Sequence, residues 1–268
     1  MDGTSLKRFY HPVYPLPFSV YRYGRVHKAL AASRPLVFAH RGGSKIGPEN
    51  TIVAFDRGLA AGADGLELDV HLSRDGAVVV HHDRLLDRTT RATGPISART
   101  AFELSKLDVP LLSDVLARYR GKRIIIEMKQ PTAALAHAVA DEVRRAKMAD
   151  FVCLGSFSVT ALRAARAYAP EIVTSGGQME VRIALYRSWC YLTPGRVPYR
   201  AFQVPEISGS TRVVTPRFIK LAHKAGLVVQ VWTVDDPNDM RRLLDWGVDG
   251  IISDRPDIAR RVVDEWKA

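Results

Sequence analysis

The chain has 268 residues, 47% of them hydrophobic, enough to bury one large core as a single domain. Its two cysteines, Cys153 and Cys190, exclude a disulfide framework, and Cys153, set in an apolar run, reads as a buried thiol. A formal charge of +11 and a pI near 9.9 favour anionic partners, with nucleic acid and an anionic membrane surface as the two classes.

Residues 1–35 carry Arg8, Phe9, Tyr10, Tyr14, Phe18, Tyr21, Arg22 and Tyr23, with no apolar run long enough for a signal peptide or a membrane span. No cleaved export signal is expected, which places the chain in the cytoplasm or peripherally at a membrane. The stretch reads either as an arm packed over the bottom of the domain that follows, residues 36–268, or as a basic aromatic strip that touches lipid.

Leu36 to Ala39 is a short apolar run after Pro35, the mark of a buried strand, and it delivers His40 and Arg41 before Gly42 and Gly43 break it. Apolar residues recur at a helical period from Asn50 to Ala61; Asn50 stands at the N-cap position and Gly62 closes the helix. In the strand Gly65 to His71, residues two apart share a face, so Glu67 and Asp69 point together, with His71 on the same side. Two carboxylates on one face are costly unless something positive lies between them. Val78 to Val80 is extended again and ends in His81, His82 and Asp83. Two histidines, an arginine and a carboxylate pair are what metal-assisted attack on a phosphate ester needs. Oxygen donors select a hard cation such as Ca²⁺ or Mg²⁺, arginine forks onto phosphate oxygens, and histidine exchanges the proton.

Beyond Thr90 the chain alternates. Helices are expected at 111–119, 133–147, 159–168, 180–188, 216–225 and 237–246, with a closing helix to Trp266. Strands begin at 36, 66, 123, 151, 171, 200, 227 and 248. Eight strands, each followed by a helix, predict a (β/α)8 TIM barrel of the α/β class. Catalytic groups of that fold gather at the C-terminal ends of its strands. His40, Glu67, Asp69, Glu127, Gln203, Trp232 and Asp254 all fall late in or just after one.

The runs HRGG, PENT, AF, GADGLELDV, DG, VVVHHD and RTT occur in that order, followed by IIIEMK at 124–129, SF at 156–157, VWTV at 231–234 and GVDGIISDRP at 247–256. In these motifs, spread over residues 36–258, the chain resembles the glycerophosphodiester phosphodiesterase family. The resemblance implies hydrolysis of glycerophosphodiesters to glycerol phosphate and an alcohol. It implies His40 and His82 as catalytic histidines, the latter because the family's histidine directly precedes aspartate. His81, pointing the other way, is then a packing or surface residue, for which replacement should be mild. Glu67, Asp69 and Glu127 would hold the divalent cation, Arg41 and Lys129 the phosphate, and Gln203 and Trp232 the substrate pocket. Lys129 can alternatively form an ordinary ion pair with Glu127, and Glu49 can hold its loop against the barrel mouth.

Glu180 to Tyr199 interleaves Arg182, Arg187 and Arg196 with Tyr186, Trp189, Tyr191 and Tyr199. A helix and loop leading into a strand should place residues 190–199 at the barrel bottom, as a solvated face, a subunit contact or a membrane contact, with nucleic acid the least favoured. Lysophospholipids are the alternative substrate class. A catalytically silent barrel that binds anionic lipid is the rival from another class, and the intact set of His, Arg and carboxylates argues against it.

Overall fold

The computed structural model describes residues 21–22 and 25–267. Eight parallel strands form the barrel: β1 (Leu36–Ala39), β2 (Gly65–Leu72), β3 (Arg123–Met128), β4 (Val152–Gly155), β5 (Val173–Thr174), β6 (Ala201–Pro205), β7 (Val228–Trp232) and β8 (Gly250–Ser253). They pair in the order β5-β4-β3-β2-β1-β8-β7-β6. The seam between β5 and β6 is joined by a single parallel bridge, Ser175 to Ala201. There Arg200 N donates to Thr174 O at 3.0 Å and Gly176 N to Ala201 O at 2.9 Å. Val78–Val80 is antiparallel to β2, outside the barrel order.

The helices are α1 (Ile52–Ala60), α2 (Ala101–Ser105), α3 (Leu112–Arg118), α4 (Ala133–Arg145), α5 (Val159–Tyr168), α6 (Gln178–Trp189), α7 (Pro216–Lys224), α8 (Pro237–Trp246) and α9 (Pro256–Lys267). Their starts are chemically marked: the side chains of Thr51, Thr132, Ser158, Thr215 and Asp236 each accept a backbone N–H of the first turn. The cap of α1 is therefore Thr51 and not Asn50. Asn50 turns inward instead, at φ 58° and buried, for a reason that the site makes plain. α4 shows how the outer layer is built: Leu135, Ala136, Val139, Ala140 and Val143 recur at helical spacing and are all buried against the strands.

The bottom of the barrel is plugged by the segment before β1. Ala29 and Leu30 pack with Cys153, Val173, Ala201 and Val228, residues at or near the beginnings of their strands, and Cys153 is fully buried. Arg123 fixes the segment by donating from Nε to Lys28 O at 2.8 Å and from Nη2 to Ala31 O at 2.9 Å. The expectation for the basic aromatic residues up to Phe18, and for Tyr23, falls outside the described residues.

The placement of residues 190–199 at the bottom needs correction. Trp189, the last residue of α6, lines the same cavity as Ser208 and Thr211 of a hairpin (Ile207–Ser208 with Thr211–Arg212) that follows the top of β6. Tyr191 lies under the Arg217 guanidinium, 4.1 Å from its ring centre, at the upper end of α7. α6 thus stays beside the mouth, and the chain returns to the bottom only by Tyr199, which is buried against Phe202.

Candidate active site

A cavity of about 400 Å³ opens at the C-terminal ends of the strands and is lined by His40, Arg41, Glu67, Asp69, His82, Glu127, Lys129, Gln203 and Trp232. All nine residues singled out for chemistry or pocket thus come together, although they lie as far apart as 192 positions in sequence. Parallel register does much of this work: Asp69 on β2 is the direct neighbour of Glu127 on β3, and Glu67 lies two residues earlier on the same face.

The turn after β1 is built for close approach. Gly42 has φ 86°, and a Cβ there would lie 2.8 Å from the α1 backbone at Ala54. From the α1 side, a Cβ on Gly58 would meet Gly42 O at 2.6 Å. Arg41 adopts φ 51°, which points its N–H at Glu67 Oε2, 3.0 Å away. Its guanidinium donates to Glu49 Oε1 at 3.1 Å and approaches Asp69 Oδ2 at 3.4 Å.

Each histidine of the site is oriented by a carboxylate at Nδ1. His40 Nδ1 donates to Asp254 Oδ1 at 2.7 Å, leaving Nε2 3.8 Å from Glu67 Oε2. Burial opposes the imidazolium at His40, but the Glu67 and Asp254 carboxylates outweigh it and raise the pKa. His82 Nδ1 donates to Asp83 Oδ1 at 2.6 Å. Burial lowers the pKa of His82, and the nearby Lys129 and Arg41 charges act in the same direction against Asp69 and Asp83.

Strand alternation correctly separated the adjacent histidines. His81 is buried away from the cavity, where Nδ1 donates to Asp83 O and Nε2 accepts from Thr89 Oγ1, both at 2.8 Å. His71 donates from Nε2 to the carbonyl of His82 at 3.1 Å and so supports that histidine from behind.

The three carboxylates are not equally compensated. Asp69 receives Lys129 Nζ at 2.8 Å and Asn50 Nδ2 at 2.9 Å, and although burial alone would raise its pKa, Lys129 and its other cationic neighbours hold it below the ordinary value. This is why Asn50 leaves the cap position, and it also shows that Lys129 pairs with Asp69 rather than Glu127. Glu67 is pushed up to about 7, first by burial and then by Asp69. Glu127 is pushed up to about 8 by burial, in spite of Lys129 and the Phe157 N–H that donates to it at 3.1 Å. Two acids whose ionisation is disfavoured in this way are a place where a cation would be stabilised, and every donor in the set is a hard oxygen. As the side chains stand, no group of three or more His, Cys, Asp or Glu among the described residues is gathered closely enough to hold a metal ion. Asp69 is bonded to Lys129 and Asn50, and Glu127 to the Phe157 N–H.

Beyond this centre, Gln203 donates to Gln230 Oε1 at 3.0 Å inside the barrel, and Trp232 packs edge-on against Phe157 with ring centres 5.9 Å apart. Asp254 stands at a strand end with no role legible in the sequence; here it orients His40. Glu49 and Arg88, to which the sequence assigns no catalytic part, also join the site. Arg88 grips Glu49 with two bonds of 2.7 and 2.6 Å and donates from Nε to Asp83 Oδ2 at 2.6 Å. One guanidinium therefore links the carboxylate that holds Arg41 to the one that holds His82. The signal for Arg88 was its place in RTT, within the same cluster of motifs. The wall formed by Val181, Leu185, Tyr186 and Trp189 was also missed, and its signal was the spacing of 181, 185 and 189 on one helix face.

The sequence profile of the Glycerophosphoryl diester phosphodiesterase family matches residues 40–258. The chain is 33% identical to the uncharacterized protein YqiK of Bacillus subtilis, over 83% of this chain and 96% of that protein. It is 31% identical to a glycerophosphodiester phosphodiesterase of Caldanaerobacter subterraneus, over 84% of this chain and 96% of the relative. Among solved structures, a glycerophosphodiester phosphodiesterase from Agrobacterium tumefaciens superposes with a TM-score of 0.68 at 28% identity, covering 85% of this chain and 98% of that one.

Proposed function

Since the chain belongs to the glycerophosphoryl diester phosphodiesterase family, we propose that it hydrolyses glycerophosphodiesters at this cavity with the help of a divalent cation. The observation that carries the reading is the meeting, in one cavity, of two carboxylate-anchored histidines with Arg41, Lys129 and three acids, Glu67, Asp69 and Glu127. Glu67, Asp69 and Glu127 would hold Ca²⁺ or Mg²⁺, which when bound supplies positive charge to the phosphate oxygens. Arg41 and Lys129 contact the phosphate as well, and Glu49 and Asp69 hold the two cations in place for it.

In the reaction an oxygen nucleophile attacks phosphorus and the bond from phosphorus to the head-group oxygen breaks. One histidine takes the proton of the nucleophile and the other gives a proton to the leaving alkoxide, so that glycerol phosphate and a neutral alcohol leave. With Nδ1 of each ring committed to Asp254 or Asp83, Nε2 is the nitrogen left for substrate. The nucleophile is water, or the neighbouring glycerol hydroxyl followed by water; accumulation of a cyclic glycerol phosphate in single turnover distinguishes the second. Trp232 and Gln203 form the wall on which the glycerol arm rests.

The test is turnover of glycerophosphocholine before and after exhaustive chelation. Activity should vanish and return with Ca²⁺ or Mg²⁺; full activity in chelator would sink the metal role. The continuation of the cavity along Tyr186 and Trp189 favours a second substrate class, lysophospholipids, whose acyl chain would lie there. Comparing specificity constants for glycerophosphocholine and lysophosphatidylcholine decides between them; a preference of about 10² for the lysolipid, roughly 2.7 kcal/mol at the transition state, would make it the better substrate.

A further inference from the structure

Twelve large apolar side chains are exposed among the described residues, and eight of them belong to one region beside the cavity mouth. They are Phe157 after β4, residues of α6 and the turn that follows it, and Ile207 at the hairpin. α6 carries apolar side chains on more than one face. Ala184, Leu185 and Ser188 are buried against the domain, Tyr186 and Trp189 border the cavity, and Met179 and Ile183 face outward at 53% and 51% exposure. Exposed apolar side chains gathered this closely on one surface mark a contact with a partner.

The charges around that face identify the partner's sign. Between residues 178 and 217 the sequence holds six arginines and two glutamates. Both glutamates are occupied by ion pairs, Glu180 with Arg166 and Glu206 with Arg242. Arg182 and Arg217 are exposed and form no ion pair among the described residues, and Arg217 is held over Tyr191. A second copy of the chain docked here about a two-fold axis would set arginine against arginine. Apolar side chains interleaved with Trp, Tyr and unpaired Arg instead match the interface of a bilayer with anionic head groups.

We propose that the outward face of α6, with the turn at Tyr191–Leu192 and the hairpin at Ile207, docks on an anionic lipid bilayer and brings the cavity mouth to its surface. This surface is separate from the groups assigned to the chemistry, so its binding can be read without turnover.

The experiment is co-sedimentation of the full chain with vesicles of phosphatidylglycerol and phosphatidylcholine, against vesicles of phosphatidylcholine alone. Binding to the anionic vesicles is expected, weakening as salt rises. The double variant Ile183→Ser with Leu192→Ser should lose about tenfold in vesicle affinity, and Arg217→Gln should lose the preference for anionic lipid in part. All three side chains lie outside the cavity lining, so hydrolysis of glycerophosphocholine without vesicles should be unchanged in both. The control variant Val53→Ser with Phe102→Ser removes two exposed apolar side chains elsewhere and should bind like the parent. The proposal is overturned by a parent that ignores anionic vesicles, by a double variant that binds as well as the parent, or by a control that loses binding equally. A concentration-dependent dimer abolished by the Ile183 and Leu192 changes would also overturn it, in favour of a second copy.

Discussion

At the scale of single residues, both histidines and Arg41 of the proposed site are held by carboxylates to which no chemistry is assigned. Asp254 is the clearest case, since its carboxylate fixes which nitrogen of His40 faces the cavity. Asp254→Asn should lower kcat by about 10² with little change in KM, as expected when an acid-base group loses its orientation. Steady-state kinetics checks it, and an unchanged kcat would remove Asp254 from the site. Adjacent His81 and His82 should fail in opposite ways. His82→Ala should cost about 10² in turnover at nearly full stability. His81→Ala should keep most turnover but cost about 1–3 kcal/mol of stability, because the buried imidazole's two hydrogen bonds, to Asp83 O and Thr89 Oγ1, and its packing are lost together. A mild effect is therefore expected for turnover only. Arg88 spans Glu49 and Asp83, so Arg88→Ala should loosen the Arg41 and His82 supports together. A rise in KM and a fall in kcat are both expected, with partial recovery in Arg88→Lys; a loss of stability with normal kinetics would make Arg88 merely structural.

At the scale of elements, the contact of α1 with the turn after β1 sets where His40 and Arg41 stand. Alanine is favoured over glycine in a helix by about 1 kcal/mol, which alone would make Gly58→Ala stabilising. A Cβ at position 58 would lie 2.6 Å from Gly42 O and 2.7 Å from Ala39 Cβ, on backbone and on a buried strand with no room to shift. Overpacking of that kind costs about 1–3 kcal/mol, so the steric term wins and the variant should melt lower and turn over more slowly. Thermal unfolding and kcat measured together check it. α6 carries the contrasting lesson. Its helical period was legible, and its ends lie within two residues of the expected ones. Its direction over the mouth was not, because an apolar side chain reads alike whether its partner is the barrel wall or a ligand cavity.

At the scale of the whole molecule, the barrel interior gathers acidic side chains within a chain of net positive charge. Glu67 and Glu127 start from ordinary values of 4.5 and are pushed up to about 7 and about 8 in the fold. Through that window the folded protein keeps protons that the unfolded chain has released, so these two groups make stability fall as pH rises. Metal-free protein should therefore lose more thermal stability between about pH 5 and about pH 8 than the double variant Glu67→Gln with Glu127→Gln. A divalent cation binds the ionised carboxylates, so Ca²⁺ should raise the melting temperature of the parent more at the upper pH than at the lower, and should not do so in the double variant. Calorimetry at the two pH values checks both, and a cation effect equal in parent and variant would place the ion elsewhere.

Hydrophobic period and turn residues were sufficient by themselves for the eight strands, for most helix limits and for a barrel whose chemistry lies at the strand ends. They are local, and local patterns survive in the sequence. The ordered motifs likewise brought His40, Arg41, Glu67, Asp69, His82, Glu127 and Lys129 into view, because parallel strands in a closed barrel deliver their last residues to one place. What only the tertiary structure decided were pairings across large separations in the chain. Asp254 meets His40 from 214 residues away, and Asn50 forsakes a cap that Thr51 could fill in order to meet Asp69. Lys129 chooses the neighbouring strand over the glutamate two residues before it, and α6 borders the mouth instead of descending to the bottom. Each outcome depends on which buried charge lacks a partner in three dimensions, and on the space left around it, neither of which is a property of any single stretch of sequence.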